Sequence, residues 1–173
     1  NTYVGLKFHP RAMELSVLDD EKKYLDYIKL AQKYNLPCVF HSEGCYFADV
    51  DHIFKLAKKF PQVPFVFVHM GTGSREAHIK AISHFKDSLI TKCANIYMDI
   101  SWVDTYNDRF IKEAPSIKDL LDVAERYGGE NKILFSTDAP LGCFGQRAKS
   151  KHAAKKAYLA SIQRVLDILE GYK

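Results

Sequence analysis

The sequence predicts an α/β protein built on a parallel sheet, and three observations predict it. Short, near-continuous apolar runs alternate with amphipathic helical stretches along the chain, the pattern of strands covered by helices. The spacing from run to run is that of a βα repeat. Three of the runs end in a polar, metal-competent side chain: CVF before His41, FVFV before His69 and KILFST before Asp138. A parallel sheet places all its strand C-termini along one edge, where such folds keep their chemistry. His41, His69 and Asp138 are therefore expected on one rim.

Five β/α units follow in order. Residues 3–8 form the first strand, and residues 20–34 its helix, with Tyr24, Ile28 and Ala31 on one face and Asp19 or Asp20 as N-cap. Residues 37–41 form strand two. Val50, Ile53, Phe54 and Ala57 mark the next helix. Residues 64–69 form strand three, followed by a helix carrying Ala81, Ile82, Phe85 and Leu89. Residues 95–101 form strand four. The fourth helix starts at Ser116, carries Leu120, Leu121 and Ala124, and stops at Gly128-Gly129. Residues 132–137 form strand five, and Leu159, Ile162, Val165, Leu166 and Leu169 mark the last helix. No sequence repeat and no Gly/Ser linker interrupts the series, so residues 1–173 read as a single domain.

Composition narrows the function classes. Hydrophobic residues make up 47% and charged residues 27%, enough for a substantial core under a solvated surface. A net charge of +4 without an aromatic-basic signature argues against nucleic acid as a partner. The longest apolar run is too short to span a bilayer, so no membrane role is expected. Cys38, Cys45, Cys93 and Cys143 lack CxxC spacing, and Cys38 sits inside an apolar strand. That favours a reduced, cytoplasmic protein over a disulfide framework.

A lone strand-end histidine is more often a satisfied core residue than a ligand. Here His41 is followed by the loop opening Ser42-Glu43-Gly44, and His69 repeats the design before Met70-Gly71. Two histidines at equivalent positions of consecutive units weaken the case for coincidence. Imidazole suits zinc and related metals and can also shuttle protons near neutral pH. Asp138 could cap the turn before Ala139-Pro140; beside a metal it could instead bind the ion and take a proton from water. Lys7 and His9 share one side of strand one, opposite Leu6 and Phe8. A lysine facing a barrel interior is costly unless paired, modified or functional, whereas at the edge of an open sheet it is simply solvated.

Trp102 either lines the mouth of the site or belongs to the core. Asp99 pairs with Ser101 or a neighbour and has no chemical role. His52, His78 and His84 fall on helices as surface or packing residues. Arg147, Lys149, Lys151, Lys155 and Lys156 crowd the start of the last helix, where they oppose its dipole. A solvated charge run explains them most simply. The alternative is a patch that draws an anionic substrate to the rim, with Arg147 nearest.

Taken in order, GLKFHP, VFHS, FVHMG, IYMDIS and LFSTDAP resemble successive strands of the amidohydrolase-related (amidohydrolase 2) metal-dependent hydrolases, a family that includes decarboxylases. The resemblance covers essentially the whole chain. It implies a TIM-type (β/α)8 barrel of which this chain supplies about strands four to eight, an incomplete barrel. It implies that His41 is the strand-five metal ligand and that His69 is the strand-six histidine that polarises substrate or transfers a proton. Asp138 would be the strand-eight aspartate that binds the metal and activates water. Lys7 would sit on strand four, where more distant relatives carry a metal-bridging carboxylated lysine. The family's first-strand HxH pair is absent, and no HxH occurs in this sequence. The chain is accordingly expected to be the C-terminal portion of a longer protein, inactive alone and prone to pair with another copy as a homo-oligomer.

The expected function is hydrolysis of a C–N or C–O bond in a small-molecule substrate, with a divalent metal, zinc first among the candidates. Asp138 and His69 are the expected catalytic residues, and His41 and Asp138 the metal ligands. Lys7, His9, Trp102 and Arg147 are expected to line the substrate, a carboxylated one if the basic run takes part. Two rivals remain open: non-oxidative decarboxylation on the same scaffold, and a non-catalytic half-barrel that serves as an assembly or binding module.

Overall fold

Five strands line up in chain order, and that order determines where every side chain of the sheet points. The computed structural model describes residues 4–101, 103, 111, 113–136 and 151–171. Strands β1 (Leu6–Phe8), β2 (Cys38–Glu43), β3 (Phe65–Thr72), β4 (Ile96–Asp99) and β5 (Ile133–Leu134) form one parallel sheet of order β1-β2-β3-β4-β5. The described helices are α1 (Pro10–Met13), α2 (Glu21–Tyr34), α3 (Val50–Lys59), α4 (Arg75–Ile90), α5 (Ile117–Tyr127) and α6 (Lys151–Glu170). Each strand pairs with its predecessor, and parallel crossovers are right-handed. Successive helices therefore fall on one face; a doubly wound sheet would reverse its order partway. This is the winding of an α/β barrel, of which the described strands form an open part.

Burial follows from that winding. On the helix side, Cys38, Phe40, Phe65, Phe67, Ile96 and Met98 are all buried. Phe40 stacks between Phe8 (4.6 Å between ring centres) and Phe65 (5.6 Å). On the other side, Lys7, Val39, Val66 and Tyr97 lie in register. Lys7 is exposed and Val39 and Tyr97 only half-buried, because none of the described helices covers them.

The helices start and stop where local chemistry requires. In α2, Tyr24, Ile28 and Ala31 form the buried stripe. Asp20 is its N-cap residue without a side-chain cap bond; its carboxylate accepts from Ser16 N instead. Asp49 caps α3, accepting from the amides of Asp51 and His52. Ser116 and Asp119 form a reciprocal capping box at the start of α5, and Gly128 ends that helix at φ +69°. Three differences from the sequence reading have physical causes. A short helix, α1, follows β1 because Pro10 presets the helical φ at its first position. β2 and β3 run past their histidines because Glu43 still pairs with Thr72, with Gly44 N donating to Thr72 O at 2.7 Å. β5 shrinks to two residues behind a 3-10 turn over Glu130–Lys132.

The three helical histidines pack or pair as expected. His78 is buried. His84 stacks on Phe54 and contacts Asp51 at 2.6 Å, while His52 lies 3.6 Å from Asp49. Lys155 and Lys156 are exposed, as a solvated charge run requires. Cys38, Cys45 and Cys93 are free. Among the described residues, no helix is long and apolar enough to cross a membrane.

Buried Asn95 closes the link between α3 and the sheet. Its amide nitrogen lies 3.0 Å from the carbonyls of Ala57, Phe60 and Val63, so two hydrogens serve three acceptors. Asn95→Ala removes that donor and leaves buried carbonyls short of a partner. Urea unfolding should show a loss of about 1–3 kcal/mol with unchanged m-value; a loss below about 0.5 kcal/mol would reject the clamp.

Asp51 staples α3 to α4, contacting Lys80 at 2.8 Å as well as His84. Burial raises its pKa, but the bonds from Lys80 and His84 outweigh that and hold it below the usual range. A carboxyl whose folded pKa is depressed stabilises the fold above its unfolded value and stops doing so as pH falls through the folded one. Asp51→Asn should therefore lower the urea midpoint at pH 7, and by less at pH 3. An equal gap at both pH values would contradict the assignment.

Candidate functional site

The ends of β1, β2 and β3 bring three imidazoles together. Alternation places Lys7 and His9, then Val39 and His41, on the uncovered face of the sheet. His9 caps α1, its Nδ1 accepting from Ala12 N at 3.3 Å. Its ring stacks on His41 at 3.9 Å between centres. His41 in turn meets the ring of His69 edge-on at 5.1 Å. Lys7 lies exposed on the edge strand β1, as an open sheet allows. Asp138, Trp102 and Arg147 lie outside the described residues.

Glu43 stands beside His41, two residues along the same strand. Its Oε2 lies 2.9 Å from His41 Nε2, and its Oε1 lies 2.6 Å from Arg11 Nη1. The hydrogen bond from His41, with those from Arg11, outweighs burial and holds the Glu43 carboxyl below its usual range. An ionised carboxylate only accepts, so His41 Nε2 carries a hydrogen, and whenever the ring is neutral Nδ1 holds the lone pair. Burial, then the charges of His41 and Lys7, push the His9 pKa down, with Glu43 opposing.

His69 is oriented from the opposite direction. Its Nδ1 lies 2.9 Å from both the carbonyl and the hydroxyl of Ser101. The Ser101 hydroxyl donates to Asp99, whose Oδ1 also accepts from Ser101 N at 3.0 Å. A carbonyl only accepts, so Nδ1 of His69 is protonated and Nε2 is the basic atom. Buried Asp99 thus pairs with Ser101, as the sequence suggested, and through it holds His69.

The backbone under His69 is strained. His69 (φ +64°), Met70 (φ +50°) and Gly71 (φ +73°) adopt three successive left-handed conformations. The first two cost about 1–3 kcal/mol each. Glycine is required at the third, where a Cβ would meet Ala77 O at 2.7 Å. Ser42 braces the turn: its hydroxyl donates to Val68 O and accepts from Gly71 N.

Sequence reasoning did not single out Glu43, Arg11 or Ser42 for the site. Glu43 falls on the face of His41, but alternation places it there only once β2 is known to run past the histidine. Nothing local announces Arg11, 32 residues from its partner.

Metal-ligating imidazoles commonly donate their second N–H to a carboxylate, and His41 does so through Glu43. That bonding fits His41 to one ligand position of a divalent-metal site. Among the described residues, no group of three His, Cys, Asp or Glu side chains could hold a metal ion. The second ligand that the resemblance implies, Asp138, falls outside them.

No curated protein matches the chain. Among solved structures, an uncharacterized TIM-barrel protein from Bordetella bronchiseptica is similar over 89% of this chain and 53% of that one, at 17% identity and a TM-score of 0.49. The chain thus spans about half the length of that protein. The family model described as "Amidohydrolase" matches residues 2–161. The chain belongs to the amidohydrolase family, within the metal-dependent hydrolase superfamily.

Proposed function

We propose that this chain is the C-terminal part of a (β/α)8 hydrolase that uses a divalent metal, zinc by its ligand chemistry, to cleave a C–N or C–O bond. The observation that carries the reading is His69. Its Nδ1–H is committed to Ser101, so its Nε2 is set to exchange a proton beside the His41 ring.

His41 and Asp138 would hold the metal. A bound divalent ion supplies Lewis-acid activation of water and carbonyl near neutral pH. Asp138 takes the proton of the attacking water. With a proton taken up from solvent at Nε2, His69 offsets the developing negative charge on oxygen or hands that proton to the leaving group. Lys7, His9, Trp102 and Arg147 line the substrate in this reading.

Decarboxylation on the same scaffold is the second reading. The Lys7 cation beside His9 and the basic run at the start of α6 favour a carboxylated substrate. There, the proton from His69 would go to carbon as CO2 leaves. The half-covered sheet face, with Leu134 and Phe135 exposed, supports a chain completed by further strands or by a second copy. Free cysteines support a cytoplasmic location.

Full-length protein should hold about one zinc or similar ion per chain, lose turnover on chelation and recover it on re-addition. His69→Gln should lower kcat by about 10²–10⁴-fold with unchanged circular dichroism. Asp138→Asn with full turnover would reject the role given to that carboxylate. Esters, lactones and amides set against carboxylated aromatics, with CO2 release as readout, separate the two reactions.

A further inference from the structure

Glu43 is mostly buried at the end of β2, and both its oxygens are committed, one to Arg11 and one to His41. Its backbone is equally fixed, with Glu43 N donating to Ala48 O at 3.0 Å and the next amide donating to Thr72 O at 2.7 Å. The His41 ring itself is confined between His9 and His69. A carboxylate anchored at backbone and side chain, facing a ring held on two sides, leaves that ring one tautomer and one orientation.

We propose that Glu43, clamped by Arg11, is a positioning residue for His41: it fixes the hydrogen on Nε2 and thereby presents Nδ1 as the ring's donor atom. The inference deepens the hydrolase reading, in which His41 is a metal ligand, and concerns how that ligand is prepared before any ion arrives. A salt bridge formed only for stability would place no constraint on the His41 ring. The bridging geometry does, because Oε1 and Oε2 serve different partners. Arg11 contributes by holding the carboxylate in place, although its own side chain is largely solvated.

The test is a long-range proton–nitrogen NMR spectrum of the full-length protein after metal removal, at a pH where imidazoles are neutral. In wild type, His41 Nε2 should give the protonated nitrogen signature with a slowly exchanging hydrogen, and Nδ1 the unprotonated one. Glu43→Ala should abolish the slow exchange, let the two nitrogens average, and weaken binding of zinc alone by about 10–100-fold. Arg11→Met should keep the tautomer but speed the exchange. If Glu43→Ala does not fold, Glu43→Gln serves, since its carbonyl can still accept: the tautomer should persist, with a smaller loss of zinc affinity. A wild-type His41 lacking the Nε2 hydrogen, or a Glu43→Ala ring signature identical to wild type, overturns the proposal. Wild type that shows the Nε2 hydrogen yet takes up no zinc would instead break the hydrolase reading and leave the positioning pair standing.

Discussion

The sheet register is the constraint from which the rest follows. Phe8, Phe40, Phe67 and Met98 occupy one row across four strands, and all are buried against the helix layer. Because strand side chains alternate, that row forces the neighbouring one, His41, Val68 and Asp99, onto the opposite face. A slip of one residue would turn the buried row outward, for instance Phe40 into the open face with His41 in the core, or Met98 outward with Asp99 inward. The apolar side therefore positions the polar side, and burial of the aromatic row gives the rim its geometry. Each fully buried aromatic contributes about 1.5–3 kcal/mol toward holding that register, more than an exposed ion pair could.

Polar groups at the rim are costly to bury, and the structure meets that cost with acceptors of fixed polarity. A carbonyl cannot donate, nor can an ionised carboxylate. Ser101 O therefore sets His69 one way, and Glu43 sets His41 the other: Nδ1–H in the first ring, Nε2–H in the second. Two neighbouring histidines with opposite tautomers suit different work. In the proposed reading, one presents Nε2 for proton exchange and the other Nδ1 as a donor atom. This division of roles is unavailable to unanchored imidazoles, which would exchange tautomers in water.

The residues that were legible in the sequence share one property: their signal is local. Ser116 opens α5 and Gly128 closes it because a cap and a left-handed stop act within one turn. The stripe of Tyr24, Ile28 and Ala31 is read from a 3.6-residue period. The strand-end positions of His41 and His69 are visible because apolar runs stop there. The pairing of Asp99 with Ser101 spans two residues and was equally readable. What escaped depends on distant chain. Arg11 meets Glu43 only through the pairing of β1 with β2, and Ser101 meets His69 only through β3 with β4. The extension of β2 to Glu43 was also hidden, since it follows a register shift between His41 and Glu43 that no composition rule signals. Asp138, Trp102 and Arg147 rest on the sequence alone, because they fall outside the described residues.

Ser42 shows how the rim is held to tolerance. It lies between His41 and Glu43, so its side chain points away from both, into the sheet's buried side, where it is fully enclosed. From there, its hydroxyl donates to Val68 O and accepts from Gly71 N, bracketing the left-handed turn that begins at His69. A residue on β2 thus restrains the backbone on both sides of the β3 histidine. The turn would otherwise relax, since non-glycine residues resist positive φ. Met70, wholly buried, anchors the turn from below, and Gly71 admits the close approach of Ala77 O. A hydroxyl on the far side of the sheet thus helps to hold the backbone from which His69 meets His41 at 5.1 Å. Strain in the turn is tolerated because four neighbouring constraints fix it. Backbone strain so restrained directly beneath a histidine is the arrangement expected where orientation matters more than local stability.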